Sequence, residues 1–506
     1  MTSNKKDPFT KLSLLSTKIA TLQSILSLLE WDQETYMPEG ALQSRSDQLQ
    51  LVSSLLHKQR TSPSYKKALS ELIDLSTGKV KQKEASLEVQ AAAREWRRQF
   101  LQEDKIPASF VKSFTKCTSA ALHAWTLAKN SNNFSLFAPH LEKIVSLSRK
   151  KAELLGYKEH PYDALLDLYE PNLTVATLTP LFKQLKEALT TLLAKLQKQP
   201  QKNFPSFGLF PEELQKKTGQ FLLEVMGFSK DTSRLDISSH PFCTGIHLKD
   251  NRMTTRIDPN HPMSNIYSVL HEGGHALYHQ NLPEKHYGTP LCEAVSYGVD
   301  ESQSRLFETQ LGKSLPFCSF LFPKLQEFFP HNFSSISLED FYQFINQVTP
   351  SEIRVEADEV TYSLHIILRF EIEKGLMEGS IKVKDVPAIW NQKMQETLGI
   401  TPLSDATGCL QDIHWAMGGI GYFPSYVMGN LLAAQLFSTI KTTFPSWEKK
   451  VEKGDLSFLK SWLQANIHQY GKIYSKEELI LKATKKSLGV EDYIEYLNTK
   501  FDRLYP

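Results

Sequence analysis

The run His271-Glu272-Gly273-Gly274-His275 follows a mostly apolar stretch, Ile266 to Leu270, in the second half of the chain. Histidines four positions apart lie on the same face of a helix, about one turn from each other. Two neutral imidazoles placed in this way can hold one zinc ion at roughly 2.0–2.1 Å each. Glu272 is next to His271, so its carboxylate would project beside the metal, where a general base for the attacking water is needed. The run therefore predicts a buried helix that carries a hydrolytic metal site.

The two glycines between the histidines argue against a chance match on a surface helix. With 15 histidines in 506 residues, one such match by accident is expected in roughly a few chains per hundred. Each glycine costs about 1 kcal/mol relative to alanine in a helix interior. A surface helix has little reason to carry Gly273 and Gly274 together. A substrate or a neighbouring backbone that approaches closely would explain both.

A catalytic zinc site needs a third protein ligand and one open position, and several downstream residues could supply that ligand. The segment 293–311 is expected to be helical, which places Glu301 and Glu308 about two turns apart on one face and Asp300 about 100° away from Glu301. Spacing alone leaves the choice open. The candidate carboxylates are Glu293, Asp300, Glu301 and Glu308, with His279 and His286 as weaker alternatives.

Helical periodicity dominates the rest of the sequence. Apolar residues recur at three- and four-residue spacing between Leu12 and Leu29, which marks one apolar stripe. Strand signals are confined to about 233–258, where two or three short strands are expected, and the pattern after Ser264 is helical again. The sequence predicts a mostly α protein, a large helical zincin-like fold with a small β-sheet near the HExxH helix. Further helical patterns occupy 41–57, 82–103, 107–130, 138–155, 178–197 and 211–226.

At 506 residues the chain is long for one core, and the domain-size prior alone suggests about three units of roughly 150 residues. The stretch Lys198 to Pro205 is polar and contains two prolines, which is typical of a linker. We expect a single peptidase unit over 1–506. A helical N-terminal half (about 1–200) and a catalytic half (about 205–506) would lie on either side of a groove.

Composition and charge exclude several classes of partner. The formal net charge is +2, from 58 basic and 56 acidic residues, which gives no case for nucleic acid or an anionic membrane. Lysines interrupt the amphipathic segment near the N-terminus, where a signal peptide would need an unbroken apolar region. No window approaches 18 consecutive apolar residues, so no membrane-spanning helix is expected. The five cysteines are scattered without CxxC spacing, which favours a reducing compartment and a cytoplasmic protein.

Several further segments follow one another along nearly the whole chain and are recognisable as motifs. They are Trp31 to Pro38, His240 to Phe242 (HPF), Asp250 to Thr254 (DxRxT), Ile353 to Asp358 (IRxxAD) and Gly408 to Trp415 (GxxQDxHW). Together with HEGGH, they resemble the carboxypeptidase Taq family of metal-dependent enzymes. So many motifs in the right order are far more specific than HExxH alone. The resemblance implies a carboxypeptidase that releases C-terminal amino acids from peptides with a free C-terminus.

The resemblance also selects a third metal ligand. In this family it is the glutamate of an HES[QG] motif, which reads Asp300-Glu301-Ser302-Gln303 here, so Glu301 is implied beside His271 and His275. Asp300 replaces the family histidine; it could accept a hydrogen bond from a metal-bound imidazole but cannot donate one while ionised. The metal affinity or metal preference could differ for that reason. The resemblance further implies a homodimer with one divalent ion, Zn²⁺ first and Co²⁺ or Mn²⁺ as alternatives.

The segment from His414 to Tyr426 offers donors for the oxyanion of a tetrahedral intermediate. The glycines in 418–421 permit tight turns that could aim nearby side chains. In similar helical zinc peptidases a histidine and a tyrosine serve this way, which favours His414 and Tyr422. The alternative is that Tyr422 is an ordinary core aromatic residue.

A carboxypeptidase must also bind a free C-terminal carboxylate, and the planar guanidinium of arginine can do so with two hydrogen bonds. Arg354 is the first candidate and Arg252 the second, each within a family motif. The alternative for Arg354 is a structural ion pair, for instance with Asp358 at i,i+4. By resemblance, His240 lines the same closed end of the groove.

Two other functions compete with a carboxypeptidase. One is an endo-oligopeptidase of the same fold, which would also cleave peptides whose C-terminus is amidated. The other is a peptide-binding scaffold with an impaired metal centre, for which Asp300 is the only hint.

Overall fold

The computed structural model describes residues 7–200, 202–204 and 207–505, and its N-terminal part is built from helices. The helices expected from periodicity are found close to their predicted bounds, whereas α3 and α7 were not predicted. The predicted linker, Lys198 to Pro205, lies partly outside the described residues. In chain order the helices are α1 (Pro8–Thr35), α2 (Leu42–Arg60), α3 (Pro63–Leu72), α4 (Leu87–Asp104), α5 (Ala108–Asn130), α6 (Phe134–Leu155), α7 (Asp163–Tyr169), α8 (Val175–Leu196) and α9 (Glu212–Met226).

A small sheet follows these helices, which confirms the strand prediction. Its strands are β1 (Ser233–Ile237), β2 (Cys243–His247) and β3 (Asp250–Thr255), in the order β1-β3-β2. β1 runs parallel to β3, and β2 runs antiparallel to it. The hydroxyl of Thr254 accepts a hydrogen bond from the backbone N–H of Phe242 (2.9 Å), which ties the DxRxT segment to the HPF segment.

The chain then enters α10 (Pro262–Gln280), which carries the HExxH run and packs against β2, β3 and α9. Helix α11 (Tyr297–Arg305) packs beside it and continues into a π-helical turn, Leu306–Leu311. The remainder is helical, as predicted. Its helices are α12 (Leu315–Phe328), α13 (Pro330–Phe333), α14 (Leu338–Ile345), α15 (Tyr362–Glu378), α16 (Val386–Leu398), α17 (Pro424–Thr443), α18 (Trp447–Val451), α19 (Ser457–Asn466), α20 (Lys476–Thr484) and α21 (Glu491–Leu504).

One large hydrophobic core joins the helices on both sides of residue 200. It includes Phe137 and Leu185 from the N-terminal part and Leu270 and Phe501 from the rest. A smaller cluster around the buried Trp96 joins α1, α3 and α4 to Leu291 and Ile473. The division into two halves stays a prediction, and apolar packing crosses its proposed boundary.

Among the described residues, α1 alone is long and apolar enough to cross a membrane by length and composition. This differs from the expectation that no segment would qualify, because Lys18 and several uncharged polar residues interrupt the apolar run in α1 but leave the helix apolar on average. Core helices of soluble proteins and signal sequences share this length and composition. The helix packs against α2, α3 and β2.

Candidate metal centre

The three side chains expected to bind a metal converge near the middle of α10. The Nε2 atoms of His271 and His275 lie 3.6 and 3.5 Å from one carboxylate oxygen, Oε2 of Glu301. One nitrogen or oxygen from each of the three lies within 4.8 Å of the others. Ligand atoms about 2.0–2.1 Å from a tetrahedral ion are roughly 3.3–3.4 Å apart. The arrangement therefore fits one small divalent ion.

Glycines allow the helices that carry these ligands to approach closely. A Cβ on Gly274 would lie 2.4 Å from the carbonyl oxygen of Gln303 in α11. On the other side of α11, a Cβ on Gly429 of α17 would lie 2.3 Å from Cγ of Glu301. At Gly273 the neighbour is the flexible end of a methionine, 2.6 Å from such a Cβ. A neighbouring backbone, one of the two explanations expected for the glycines, is thus found at Gly274.

The Nδ1 atoms of both ligand histidines are within hydrogen-bond distance of carboxylates. Nδ1 of His271 lies 2.7 Å from Oε2 of Glu308, and Nδ1 of His275 lies 2.9 Å from Oδ1 of Asp300. A proton on each Nδ1 leaves both Nε2 lone pairs free on the side of Glu301, where an ion would be held. Spacing alone left Glu308 and Asp300 open as ligands. The structure places them as hydrogen-bond partners of the two histidines.

Asp300 also contacts a third histidine. Its second oxygen lies 3.1 Å from Nε2 of His279, one turn further along α10. His279 therefore lies outside the group of three ligands. Asp300 links it to His275.

Replacing Asp300 by asparagine is expected to weaken metal binding about 10- to 100-fold, the usual cost of losing an outer partner of a ligand histidine. A neutral amide attracts the Nδ1 proton of His275 less strongly than a carboxylate. The measurement is a competition titration of metal-free protein against a chelator of known affinity. Asp258→Asn is the matched control, since Asp258 holds the exposed His261 (3.0 Å) at the start of the same helix. Equal affinities for the Asp300 variant and the control would contradict the role.

The site carries an excess of negative charge. Within the described ranges, Glu272, Asp300 and Glu301 form no ion pair with a lysine or arginine. Buried charges of this kind are costly unless they are compensated. Burial acts to lower the pKa of both ligand histidines, but the carboxylates outweigh it and the pKa is raised. A divalent cation would neutralise this excess, so the donor set suits such an ion.

Glu272 is buried, with 6% of its surface exposed, and it follows the first ligand histidine directly. Burial raises the pKa of its carboxyl, and the charges of His271 and His275 offset part of that rise. A carboxylate whose pKa is raised toward neutrality is a better general base than an exposed one. Both the position and the basicity of Glu272 are suitable for activating water.

An aromatic cluster lies beside the ligands, at the start of α17 and in the segment before it. The ring centroid of Tyr422 lies 5.3 Å from that of Tyr426 and 5.5 Å from that of His414. Tyr169 and Tyr297 pack edge-on against the same ring at 5.1 and 5.4 Å. The two residues expected to stabilise an oxyanion are therefore in contact with each other.

Burial fixes the protonation of this cluster. It raises the pKa of Tyr422 and Tyr426, and the nearby Glu301 carboxylate adds to the effect, so both hydroxyls stay protonated at neutral pH. Burial also lowers the pKa of His414 to about 4, which leaves a neutral imidazole with one N–H. Each of these groups can therefore donate a hydrogen bond.

Arg354 borders the aromatic cluster within a buried group of charges. Its Nη2 lies 2.8 Å from one oxygen of Asp412, and Nη2 of Arg369 lies 2.6 Å from the other oxygen. The guanidinium carbon of Arg354 lies 5.1 Å from the ring centroid of Tyr426. Two guanidinium groups share one carboxylate, so the group keeps a positive charge beside the cluster.

The ion pair considered as the alternative for Arg354 is present, but its partner was predicted wrongly. The partner is Asp412, 58 residues away, rather than Asp358. Oδ1 of Asp358 accepts hydrogen bonds from the backbone N–H groups of Val360 and Thr361 (2.9 and 3.0 Å), just before α15. Asp358 therefore stabilises the chain at that point instead of pairing with the arginine.

The other two residues expected to bind substrate lie at the sheet. Arg252 pairs with Asp250 through two hydrogen bonds (2.9 and 3.0 Å), and its guanidinium carbon lies 4.6 Å from the ring centroid of Trp31 in α1. The side chain of His240 is exposed before β2. Arg252 thus joins α1 to the sheet, and roles of both residues in substrate binding stay predictions.

A cavity of about 400 Å³ lies between α1 and the elements around the metal centre. Its lining includes Ser16 and Gln23 of α1, Gly245 of β2 and His279 of α10. Residues from the predicted N-terminal and catalytic halves therefore face the same space. The groove between the two predicted halves stays a prediction.

Sequence reasoning missed parts of this site. Asp412 lies within the GxxQDxHW segment, so the motif itself could have pointed to it. Arg369, Tyr169 and Tyr297 belong to none of the matching motifs, and only the fold brings them to the site.

The fold and the ligand group together define a helical metallopeptidase. In this mostly α protein, helix α10 carries the ligand candidates His271 and His275 together with Glu272. The adjacent helix α11 carries the third ligand candidate, Glu301. The particular kind of metallopeptidase follows from comparison with known proteins.

A model of the carboxypeptidase Taq (M32) metallopeptidase family matches residues 11–501. Carboxypeptidase 1 of Bacillus subtilis is 39% identical over 493 residues, which cover 97% of each chain. Thermostable carboxypeptidase 1 of Pyrococcus furiosus is 38% identical over 485 residues, 94% of each chain. The chain therefore belongs to the carboxypeptidase Taq family and is a metallocarboxypeptidase, a peptide hydrolase.

Solved structures agree with the predicted fold class. The M32 carboxypeptidase from Deinococcus radiodurans R1 is 33% identical, with a TM-score of 0.95 and coverage of 98% of this chain and 99% of that one. A Pyrococcus furiosus carboxypeptidase gives a TM-score of 0.94 at 36% identity, with the same coverage. The predictions of a mostly α fold, of a carboxypeptidase and of a divalent metal are confirmed. The endo-oligopeptidase and scaffold alternatives are not favoured.

Proposed function

We propose that this metallocarboxypeptidase holds one Zn²⁺ ion with His271, His275 and Glu301 and uses Glu272 as its general base. The observation that carries the proposal is the approach of both Nε2 atoms to one oxygen of Glu301. The bound ion supplies Lewis acidity for the scissile carbonyl and for the attacking water. Glu272 takes the proton from that water and passes it to the leaving amine, which requires hydrogen-bond reach of both atoms.

Tyr422 and His414 donate hydrogen bonds to the oxyanion of the tetrahedral intermediate. Their support is that both are partly buried, protonated as donors and packed against one another beside Glu301. Donors already in place in a site shielded from water stabilise developing charge strongly, because they need no reorganisation during the reaction.

Arg354 binds the C-terminal carboxylate of the peptide. A guanidinium has five N–H groups, and three of those of Arg354 are used, two by Asp412 and one by the hydroxyl of Tyr362. Two therefore remain for substrate. The positive charge shared with Arg369 favours an anionic terminus. Arg252 and His240 are the second choices.

Replacing Arg354 by lysine is expected to lower kcat/KM about 10- to 100-fold on peptides with a free C-terminus, since hydrogen bonds to charged groups contribute about 1.5–3 kcal/mol. The loss should appear mainly in KM, because the terminus is bound in both ground and transition states. The measurement is mass spectrometry of digests of one peptide with a free and with an amidated C-terminus, with and without chelator.

Wild-type protein should shorten only the free peptide, from its C-terminus, and only without chelator. Arg252→Lys is the matched control, because it also removes a guanidinium from a family motif. Cleavage of the amidated peptide by wild-type protein would contradict the specificity. Loss of kcat/KM in the control alone would move the carboxylate site to Arg252.

The choice of ion, the assembly and the location of the protein are further parts of the proposal. Zn²⁺ is proposed first, with Co²⁺ and Mn²⁺ as alternatives that metal analysis of purified protein would distinguish. The five cysteines are free thiols, which supports a cytoplasmic location.

A homodimer is proposed, supported by exposed apolar side chains on α1 and α2 such as Leu14 (48%) and Leu51 (61%). Light scattering would measure the assembly. The near-neutral charge gives no reason to propose a nucleic-acid or membrane partner.

A further inference from the structure

A carboxylate outside the metal centre is buried behind the aromatic cluster. Glu373 of α15 is 0% exposed. Its oxygens accept hydrogen bonds from the indole N–H of Trp415 (2.8 Å), the backbone N–H of Gly421 (2.9 Å) and the hydroxyl of Tyr162. Burial raises the pKa of this carboxyl to about 7, although all three donors act to lower it. Keeping a carboxyl here costs free energy that an apolar residue would not require.

Two of the three donors belong to the segment 414–422. Trp415 directly follows His414, and Gly421 directly precedes Tyr422. One carboxylate therefore holds the chain next to each of the two residues proposed to stabilise the oxyanion. Its third donor, Tyr162, lies before α7 and anchors the carboxylate from the other side.

The segment 414–422 consists of turns rather than a helix or a strand. Gly418 and Gly421 adopt φ angles of +75° and +98°, which residues with a side chain rarely reach. A Cβ on Gly421 would also lie 2.9 Å from the backbone carbonyl carbon of Leu165. Turns lack the continuous hydrogen-bond ladder that holds a helix, so the place of such a segment depends on its anchors. Glu373 supplies two of them from a helix that is itself buried.

We propose that Glu373 is a positioning residue for catalysis, which acts by holding the segment 414–422 so that His414 and Tyr422 reach the oxyanion. The inference rests on the proposed roles of those two residues. Glu373 itself lies behind the segment and does not contact substrate. Its loss should therefore reduce stabilisation of the transition state more than binding of the peptide.

The test is Glu373→Gln, which keeps the shape of the side chain but replaces one accepting oxygen with an NH2 group that cannot accept. We expect kcat to fall about 10- to 100-fold, because a small displacement of catalytic groups has effects of this size. KM should stay within about twofold and the metal content should be unchanged. Glu371→Gln is the matched control: Glu371 lies on the same helix but pairs with Lys186 (2.9 Å) and Lys393 away from the segment. The control should keep the wild-type kcat.

A double-mutant cycle with Tyr422→Phe separates a positioning role from a general loss of stability. If Glu373 acts through the segment, adding Glu373→Gln to Tyr422→Phe should cost much less than it costs in the wild type. Full additivity, or a wild-type kcat in the Glu373 variant while Tyr422→Phe is impaired, would overturn the proposal. A wild-type kcat in Tyr422→Phe would instead overturn the proposed oxyanion role.

A second variant keeps the proposal testable if Glu373→Gln does not fold. Trp415→Phe removes one donor to Glu373 and keeps an aromatic ring against Trp390, whose centroid lies 6.0 Å away. It should also lower kcat, by a smaller factor than Glu373→Gln does, with KM unchanged. A wild-type kcat in this variant would then count against the proposal.

Discussion

Replacing Glu272 by glutamine is expected to lower kcat by about 10²- to 10⁴-fold, the usual contribution of a general base, while the metal is retained. Glutamine has nearly the same shape, but its amide cannot take the proton from water. The ligand atoms of His271, His275 and Glu301 are left untouched. The measurements are kcat on a short peptide with a free C-terminus and the metal content of the purified variant.

Glu284→Gln is the matched control for this change. Glu284 lies just beyond α10, and its exposed side chain pairs with Lys249 at 2.7 Å. That variant should keep both its activity and its metal. Full activity in Glu272→Gln would show that another group serves as the base. Loss of metal in that variant would show that Glu272 is needed to hold the ion.

Replacing His275 by alanine is expected to abolish metal binding and activity together. One of three ligands is lost, and the remaining nitrogen and carboxylate cannot hold a zinc ion tightly. Because metal binding and folding are coupled, the variant should also lose the stabilisation that added zinc gives the wild type. Zinc titration followed by calorimetry and by thermal unfolding measures both effects.

His261→Ala is the control for the second change, because His261 is an exposed histidine at the start of the same helix (74% side-chain exposure). It should bind zinc as the wild type does. Stoichiometric zinc binding with wild-type affinity in His275→Ala would refute the proposed ligand set. A rise in the unfolding temperature of His275→Ala on adding zinc, as large as in the wild type, would also refute that ligand set.

Much of this site follows from local periodicity, and the rest depends on contacts that periodicity does not describe. The helix period alone placed His271 and His275 on one face. It could not separate Asp300 from Glu301, which are adjacent in sequence. In the folded protein Asp300 contacts Nδ1 of His275, whereas Glu301 lies on the side of its Nε2 atom. The family motif made that choice, because it carries information from the packing of α10 against α11.

Arg354 shows the limit of local rules most clearly. The i,i+4 rule pointed to Asp358, which would be correct for an exposed pair on a regular helix. The chain is only a short 3₁₀ turn at Arg354, so that rule does not apply there. The actual partner, Asp412, is brought near by folding of distant segments. A buried pair of this kind is set by tertiary structure.

For the fold, the long helices were predicted from the sequence, whereas a short helix and the strand pairing were not. Long amphipathic segments such as α6 and α8 have a period that identifies them directly. Helix α7 has only seven residues, too few for a clear periodic signal. The parallel pairing of β1 with β3 joins strands that are not consecutive, and strand propensity contains no information about such pairing.

The contact between Gly274 and the carbonyl of Gln303 fixes how closely the backbones of α10 and α11 approach. These two helices carry all three proposed ligands, so their spacing is built into the fold before an ion binds. The protein should therefore be preorganised for a cation of zinc-like size, and its metal-free form should keep the same shape. Exchange of one small dication for another by dialysis should then proceed without unfolding, while larger ions such as Ca²⁺ should be excluded by geometry rather than by charge.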